Sequence, residues 1–329
     1  MRLIVLGGTR FVGRAVVAEL VAAGHDVLIV HRGKHEPVGL ADVPHLHAHR
    51  HDLASRAGEL RRFRPDGVVD MSAMTRTDAT MALAAVPEGP RLVAVSSIDV
   101  YRAAASVWAG TVTDAVPLTE MSPVRDSPPP DRTYVMEGYD YDPSDYENLD
   151  VEAAYLERGA TVCRLPMVYG PYDFKHREGF VLRRVHGRRK QLPVGAGGWL
   201  WSRGYAPELA RGIRLAVEQW TASPEVFNLC EGQCAPLRMW IEQIVASAGA
   251  DLELVCVPDN ALPSDLDITG DIAQHWLASA AKAEEALGWV HRDPAECVGE
   301  SVAWHMEHSP AGDGDFSADD RALAAAHTR

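Results

Sequence analysis

A chain of 329 residues with 47% hydrophobic and 24% charged residues is sized for one large α/β domain or two closely joined ones. It has no apolar run long enough to span a bilayer, and its net charge of −14 argues against bulk nucleic-acid binding. The five cysteines have no zinc-site or CxxC spacing and read as buried reduced thiols, and a first strand starting at once leaves no room for a targeting segment, so the expected location is cytoplasmic.

The first predicted strand, 2–6, runs into Gly7-Gly8-Thr9, and Phe11-Val12-Gly13 opens a helix over 11–23. A buried strand, a glycine turn and a helix N-terminus make a cradle for a pyrophosphate, because the first-turn amides point at the anion. Gly7 and Gly13 fit the dinucleotide pattern, while Arg10 stands where the middle glycine is expected. Gly7, Thr9, Arg10, Phe11, Val12 and Gly13 are therefore the first candidate cofactor residues. The second strand, 26–31, ends His31-Arg32-Gly33-Lys34 with no carboxylate before Glu36. An NAD site generally has an acid here for the ribose 2′-hydroxyl; Arg10, Arg32 and Lys34 instead suit a 2′-phosphate, so NADP is expected over NAD.

A third strand is predicted over 45–51, where alternation would set His45, His47, His49 and His51 on one face. Its place far from the expected substrate side makes these surface or interface histidines, and no metal is expected. Helices over 57–63 and 77–85 alternate with strands over 67–71 and 91–96. This rhythm predicts an α/β fold, a doubly wound parallel sheet with its ligand at the carboxyl ends of the strands. Residues 102–145, Pro-rich and acidic, read as a long loop beside the site, followed by a helix over 144–157 and a strand over 161–165. Later come a helix over 205–220, a strand over 226–229 and a helix over 237–248. The expected organisation is a dinucleotide-binding domain over 1–165 with 205–230 returning to it. A smaller substrate lobe takes 166–204 and 231–308, and 309–329 has the loop composition of a flexible tail.

Lys175, Arg177, Arg183, Arg184, Arg188, Arg189 and Lys190 form the one dense basic region. They suit a phosphorylated, nucleotide-linked or carboxylated small-molecule substrate, or form the solvated face of an amphipathic helix that buries Phe180, Val181 and Val185. Arg177 and Tyr205 are candidate substrate contacts, and Trp199 and Trp201 offer flat apolar walls or core packing.

The motifs come in a fixed order: Gly7-Gly-Thr-Arg-Phe-Val-Gly13, His51-Asp52-Leu53, Val68-Val-Asp-Met-Ser72-Ala73, Ser96-Ser97-Ile-Asp99-Val-Tyr101, Arg164-Leu-Pro166-Met-Val168-Tyr-Gly-Pro171, Ser202-Arg203-Gly-Tyr205 and Phe227-Asn-Leu229. In this series the chain resembles the extended short-chain dehydrogenase/reductase family, the NAD-dependent epimerase/dehydratases, over residues 1–310. The resemblance implies that Asp52, with Leu53 beside it, meets the adenine. It puts Ser72 and Ala73 under the pyrophosphate, Pro166, Met167 and Val168 at the nicotinamide, and Arg203 at a substrate diphosphate. It also implies homodimerisation through the helices near 77–86 and 144–157. Ser97 matches the family's catalytic hydroxyl.

The family's tyrosine, with a lysine four residues on that lowers its pKa, has no match here. Three registers can be tried: Tyr141 with Asp145, Ser144 with Asn148, and Tyr146 with Asp150. None supplies a cation, since no lysine lies between residues 35 and 174. Asp99 matches an acid that serves as general base in dehydrating members; it also reads as a turn aspartate that caps the next segment. Candidate catalytic residues are Ser97, Asp99, Tyr141 and Tyr146. The expected function is an NAD(P)-dependent oxidoreductase, epimerase or dehydratase acting on a small polar or sugar-like metabolite. The alternatives are non-redox acid–base work by Asp99 and a non-catalytic NADP-binding sensor. Some atypical members that resemble this chain in the Gly-Gly-Thr-Arg-Phe start are RNA-associated, a use the acidic charge argues against.

Overall fold

The computed structural model describes residues 1–37, 39–128, 142–308 and 314–326. Strand β1 (Arg2–Leu6) shows how the sequence builds the centre: Leu3 and Val5 join one buried cluster, Ile4 and Leu6 the other, on opposite faces. Four consecutive buried apolar residues in a strand are stable only with both faces covered, as in a parallel sheet between helix layers. β1 pairs in parallel with β2 (Asp26–His31) and β4 (Gly67–Asp70). Beyond β2 lies β3 (His45–His47); beyond β4 lie β5 (Arg91–Ser97), β6 (Thr161–Leu165) and β10 (Glu225–Asn228). The seven-stranded order is β10-β6-β5-β4-β1-β2-β3, all parallel.

Helix α1 (Phe11–Ala22) packs on α7 (Ala206–Glu218) over one face, while α2 (Leu53–Phe63), α3 (Arg76–Ala85) and α5 (Asn148–Leu156) pack side by side over the other. Residues 166–205 and 231–308 add two short parallel ribbons, β7 (Met167–Tyr169) with β9 (Arg203–Tyr205) and β8 (Gln191–Val194) with β11 (Glu253–Cys256). Helices α6 (Gly179–His186), α8 (Leu237–Ser247) and α10 (Pro294–His308) surround them. Helix α9 (Ala281–Leu287) instead packs on α7 and β10, at the sheet.

Several expectations need correction. The region expected as a continuous loop holds helix α4 (Arg102–Ala109), whose alanine-rich sequence has high helix propensity. The third strand stops at His47 and gives way to a 3₁₀ turn at Arg50–Asp52, so His49 and His51 stack on one another instead of continuing a histidine face. The helix expected over 144–157 breaks into a 3₁₀ turn, Pro143–Asp145, and α5, where the Glu147 side chain caps the Leu149 amide. The tail carries α11 (Ser317–Ala326), docked by Asp319, whose carboxylate accepts two 2.7 Å hydrogen bonds from Arg184 with both side chains fully buried. Of the cysteines, 163, 230 and 297 are buried, 234 is half-buried and 256 is exposed, all as free thiols.

Candidate functional site

The order of connections reverses between β1 and β4, and a cleft opens at the carboxyl ends of the strands there. Its first part, a cavity of about 260 Å³, is lined by Gly7, Thr9, Arg10, Phe11, Val12, Gly13, His31, Arg32, Lys34, Leu53 and Ser72, all expected from the sequence, together with Arg50 and Phe174. Gly7 turns the chain at φ +90°, and a Cβ there would lie 2.6 Å from the Ser72 hydroxyl. A Cβ on Gly13 would lie 2.3 Å from the Gly7 carbonyl oxygen, so the turn and the helix start touch backbone to backbone. Arg10, the N-cap of α1, makes no side-chain cap. No N-cap side chain therefore competes for the first-turn amides that an anion in the cradle would use. The Arg10 guanidinium lies 3.9 Å from the Phe174 ring centre, and Phe11, held at φ +40°, meets the same ring edge-on. Backbone strain in a bulky residue at a ligand cleft is a mark of a functional turn.

No carboxylate is among the described residues lining this cavity. Glu36, the first acid after β2, turns to His47, with 2.8 Å between them. Asp52 is exposed and lines neither part of the cleft, because the 3₁₀ turn presents Arg50 and Leu53 in its place. The Arg50 guanidinium makes two 2.7 Å hydrogen bonds to the fully buried Asp70 and one of 2.6 Å to the Ser72 hydroxyl. The other carboxylate bonds of Asp70 come from the amides of Ser72 and Ala73 and from Tyr155. Burial would raise this carboxyl, but the Arg50 charge and these donors hold it below its ordinary value. The floor of the cleft is thereby fixed. Sequence reading missed Arg50, whose only signal was its place between two histidines at a strand end.

The second part of the cleft, about 210 Å³, shares Phe11, Val12 and Phe174 with the first, so the two adjoin. It is lined by Ala73, Ser97, Asp99, Tyr146, Asn148, Pro166, Met167, Val168, Lys175, Arg177, Trp201 and Trp276. Ser97 ends β5 and its hydroxyl accepts the Asp99 amide, so Ser97 rather than Asp99 caps this turn. The Asp99 side chain is 3% exposed; Oδ2 accepts the Tyr146 hydroxyl at 2.6 Å, and Oδ1 is buried with no hydrogen-bond partner among the described residues. Burial pushes this carboxyl above its ordinary value, with the Tyr146 bond and the Arg125 charge opposing. Asn148 donates to the Tyr146 oxygen at 2.6 Å. Arg125 braces the turn through the Asp99 carbonyl and a two-pronged pair with Glu147.

The broken helix also moves Tyr146 off the register counted for it. Tyr146 precedes α5, so it does not share a helix face with Asp150, which pairs with Arg76. Tyr141 lies outside the described residues. Lys175 and Arg177, from the loop after β7, reach the cavity that the helix leaves without a lysine.

Four more cations of the basic stretch pair within the chain: Arg183 and Arg184 with Asp265, Arg189 with Asp320, Lys190 with Asp251. In α6 Val181 and Leu182 are buried with Arg184, while Phe180 and Val185 are only half-buried. Arg203 and Tyr205 line neither part of the cleft: β9 turns both into the core, where Arg203 reaches the Ala235 carbonyl and the Trp240 ring, and Tyr205 packs on Tyr169. Trp199 is buried against Trp201 and away from the cleft.

Residues 3–230 match the model of the NAD dependent epimerase/dehydratase family. The chain is 26% identical over 312 residues to the chloroplast stem-loop binding protein of 41 kDa b of Arabidopsis thaliana, covering 88% of this chain and 74% of that protein. Among solved structures it resembles the UDP-glucose-4-epimerase of Stenotrophomonas maltophila with bound NAD and formylated UDP-arabinopyranose (TM-score 0.71, 19% identity, 95% and 100% of the two chains). It also resembles the dTDP-glucose 4,6-dehydratase of Bacillus anthracis in complex with NAD (TM-score 0.69, 17% identity, 94% and 97%). No described helix is long and apolar enough to cross a membrane.

Proposed function

The chain belongs to the NAD-dependent epimerase/dehydratase family, and on that premise we propose that it binds NADP in the cleft and modifies a sugar or sugar-nucleotide with an acid–base group built from Asp99, Tyr146 and Asn148. The residues fit a dinucleotide: a Cβ would fill the cradle at Gly7 and Gly13, and the start of α1 has no side-chain cap. Arg32 and Lys34, in a cavity with no acid among its described lining residues, favour the 2′-phosphate. The nicotinamide, when bound, supplies the capacity to take up or give back a hydride.

One observation carries the catalytic reading, the buried and unpartnered Asp99 Oδ1 at a cavity wall. Tyr146 donates to Oδ2 and is itself held by Asn148, so Oδ1 is the atom left to accept a proton from a substrate hydroxyl or carbon acid. Ser97, whose oxygen already accepts an amide, has its own hydrogen to offer a substrate oxygen. Lys175 and Arg177 supply the positive charge that the family draws from the helix lysine, and Trp201 and Trp276, stacked with 6.1 Å between centres, supply a flat wall for a sugar.

A second reading keeps the cleft but drops hydride transfer. It is favoured by Asn148, a neutral amide at the position where the register anchored on Glu152 would have the lysine. Calorimetric titration with NADP⁺ and NAD⁺, then a turnover screen on UDP- and dTDP-sugars, tests both. Tighter binding of NADP⁺ and turnover lost in Asp99→Asn support the proposal; no binding of either nucleotide overturns it. Turnover without transient reduction of the bound nicotinamide selects the non-redox reading.

A further inference from the structure

We propose that His31, Glu36, His45 and His47 bind one divalent transition-metal ion of the zinc class at the carboxyl edge of β2 and β3. One ligand atom from each of these four residues lies within 4.8 Å of every other. The sequence brings them together in two steps. Alternation along β3 puts His45 and His47 on one face, and the parallel register sets His31 of β2 opposite His47. Glu36 then folds back from the connection.

The separations suit one ion. His47 Nε2 and Glu36 Oε1 are 2.8 Å apart, His45 Nδ1 and Glu36 Oε2 3.6 Å, His31 Nε2 and Glu36 Oε2 3.8 Å, and His31 Nε2 and His45 Nδ1 2.8 Å. Ligand atoms of a tetrahedral zinc site, each about 2.0–2.1 Å from the metal, lie roughly 3.3 Å apart, and the four ligand atoms here, all within 4.8 Å of one another, need draw in by only about an ångström to meet it. His45 Nε2 is 3.2 Å from the Leu40 carbonyl, and a proton held there leaves the Nδ1 lone pair turned inward, the outer support that metal-bound histidines have. Three imidazoles and one carboxylate select zinc, cobalt or nickel over magnesium and calcium.

The rings also contact one another: the Gly33 amide donates to His31 Nδ1 at 3.2 Å, and His31 Nε2 faces His45 Nδ1. A metal replaces the second contact and requires His31 to carry its proton on Nδ1, turned from that amide. Binding therefore changes the Arg32–Lys34 segment, which lines the cleft.

Titration of the metal-stripped protein with Zn²⁺, and with Co²⁺ as a coloured probe, tests the site without any activity. The expected result is uptake of one equivalent, with intense tetrahedral Co²⁺ bands. His47→Ala, at a side chain 58% exposed and so safe for folding, should lower zinc affinity at least about tenfold, and Glu36→Gln should do likewise. No stoichiometric uptake, uptake unchanged in His47→Ala, or a thiolate–cobalt band that places the ion on the exposed Cys256 would each overturn the proposal.

Discussion

Arg50 holds Asp70 through two 2.7 Å hydrogen bonds, joining the turn after β3 to the end of β4 beneath the cleft. Asp70 is fully buried, so the pair is useful only while both members are present. Arg50→Ala leaves a buried carboxylate with no countercharge and should cost about 3–5 kcal/mol of stability. Arg50→Lys should recover only part of it, because an ammonium lacks the planar fork. Denaturant unfolding reads the stability. NADP⁺ titration should show weaker binding in both variants, since the Ser72 and Ala73 amides hang on the same carboxylate.

Asp99→Asn should leave the fold intact, as judged by circular dichroism, and reduce turnover by about 10²–10⁴-fold once a substrate is in hand. In the unaltered protein kcat should rise with pH through a pKa above the ordinary carboxylate value, because burial raises this group and its ionised form is the base. Tyr146→Phe should lower kcat by less, since it removes the bond to Oδ2 and leaves Oδ1 in place. Unchanged turnover in Asp99→Asn would remove this residue from the mechanism.

Arg32→Ala and Lys34→Ala should weaken NADP⁺ more than NAD⁺, each by roughly tenfold, the order of one charge-assisted hydrogen bond. Arg32→Asp should reverse the preference by placing an acid at the end of β2. Equal loss for both nucleotides would mean that these cations do not meet a 2′-phosphate.

Gly13→Ala should abolish dinucleotide binding, because its Cβ would stand 2.3 Å from the Gly7 carbonyl oxygen and neither backbone can move without opening the turn. The overpacking should also cost about 1–3 kcal/mol of stability. Gly24→Ala is not a matched control, because Gly24 is at positive φ; Gly58→Ala in α2, where nothing lies within 4 Å, is one.

Stability should fall as pH rises from 6.5 to 8. Burial, with the Asp173 charge adding and the Ser301 hydroxyl opposing, pushes the Glu178 carboxyl from 4.5 up to about 8. Between those values the folded chain holds a proton that the unfolded chain has lost, so unfolding free energy declines with pH, by up to about 1.4 kcal/mol per unit, and levels off above 8. His305, whose pKa burial lowers from 6.5, acts in the opposite sense only below that value. Glu178→Gln should flatten the slope between 6.5 and 8 in pH-dependent unfolding.

The seven-stranded sheet and the glycine cradle were legible in the chain because each depends on short-range pattern. Apolar runs of strand length, helical periodicity and the Gly7–Gly13 spacing all lie within a few residues of one another. The residues that finish the cleft are a different case. Tyr146 meets Asp99 across 47 positions and Arg50 meets Asp70 across 20, and the broken start of α5 moved Tyr146 off the helix on which a register could be counted. Phe174, Lys175 and Arg177 arrive on a loop whose path no periodicity encodes. The docked tail helix likewise exists because Arg184 is there to receive Asp319. Local sequence fixes the period and ends of most elements. Which side chains share a cavity or a carboxylate is decided by long-range packing and by the need of each buried charge for a partner.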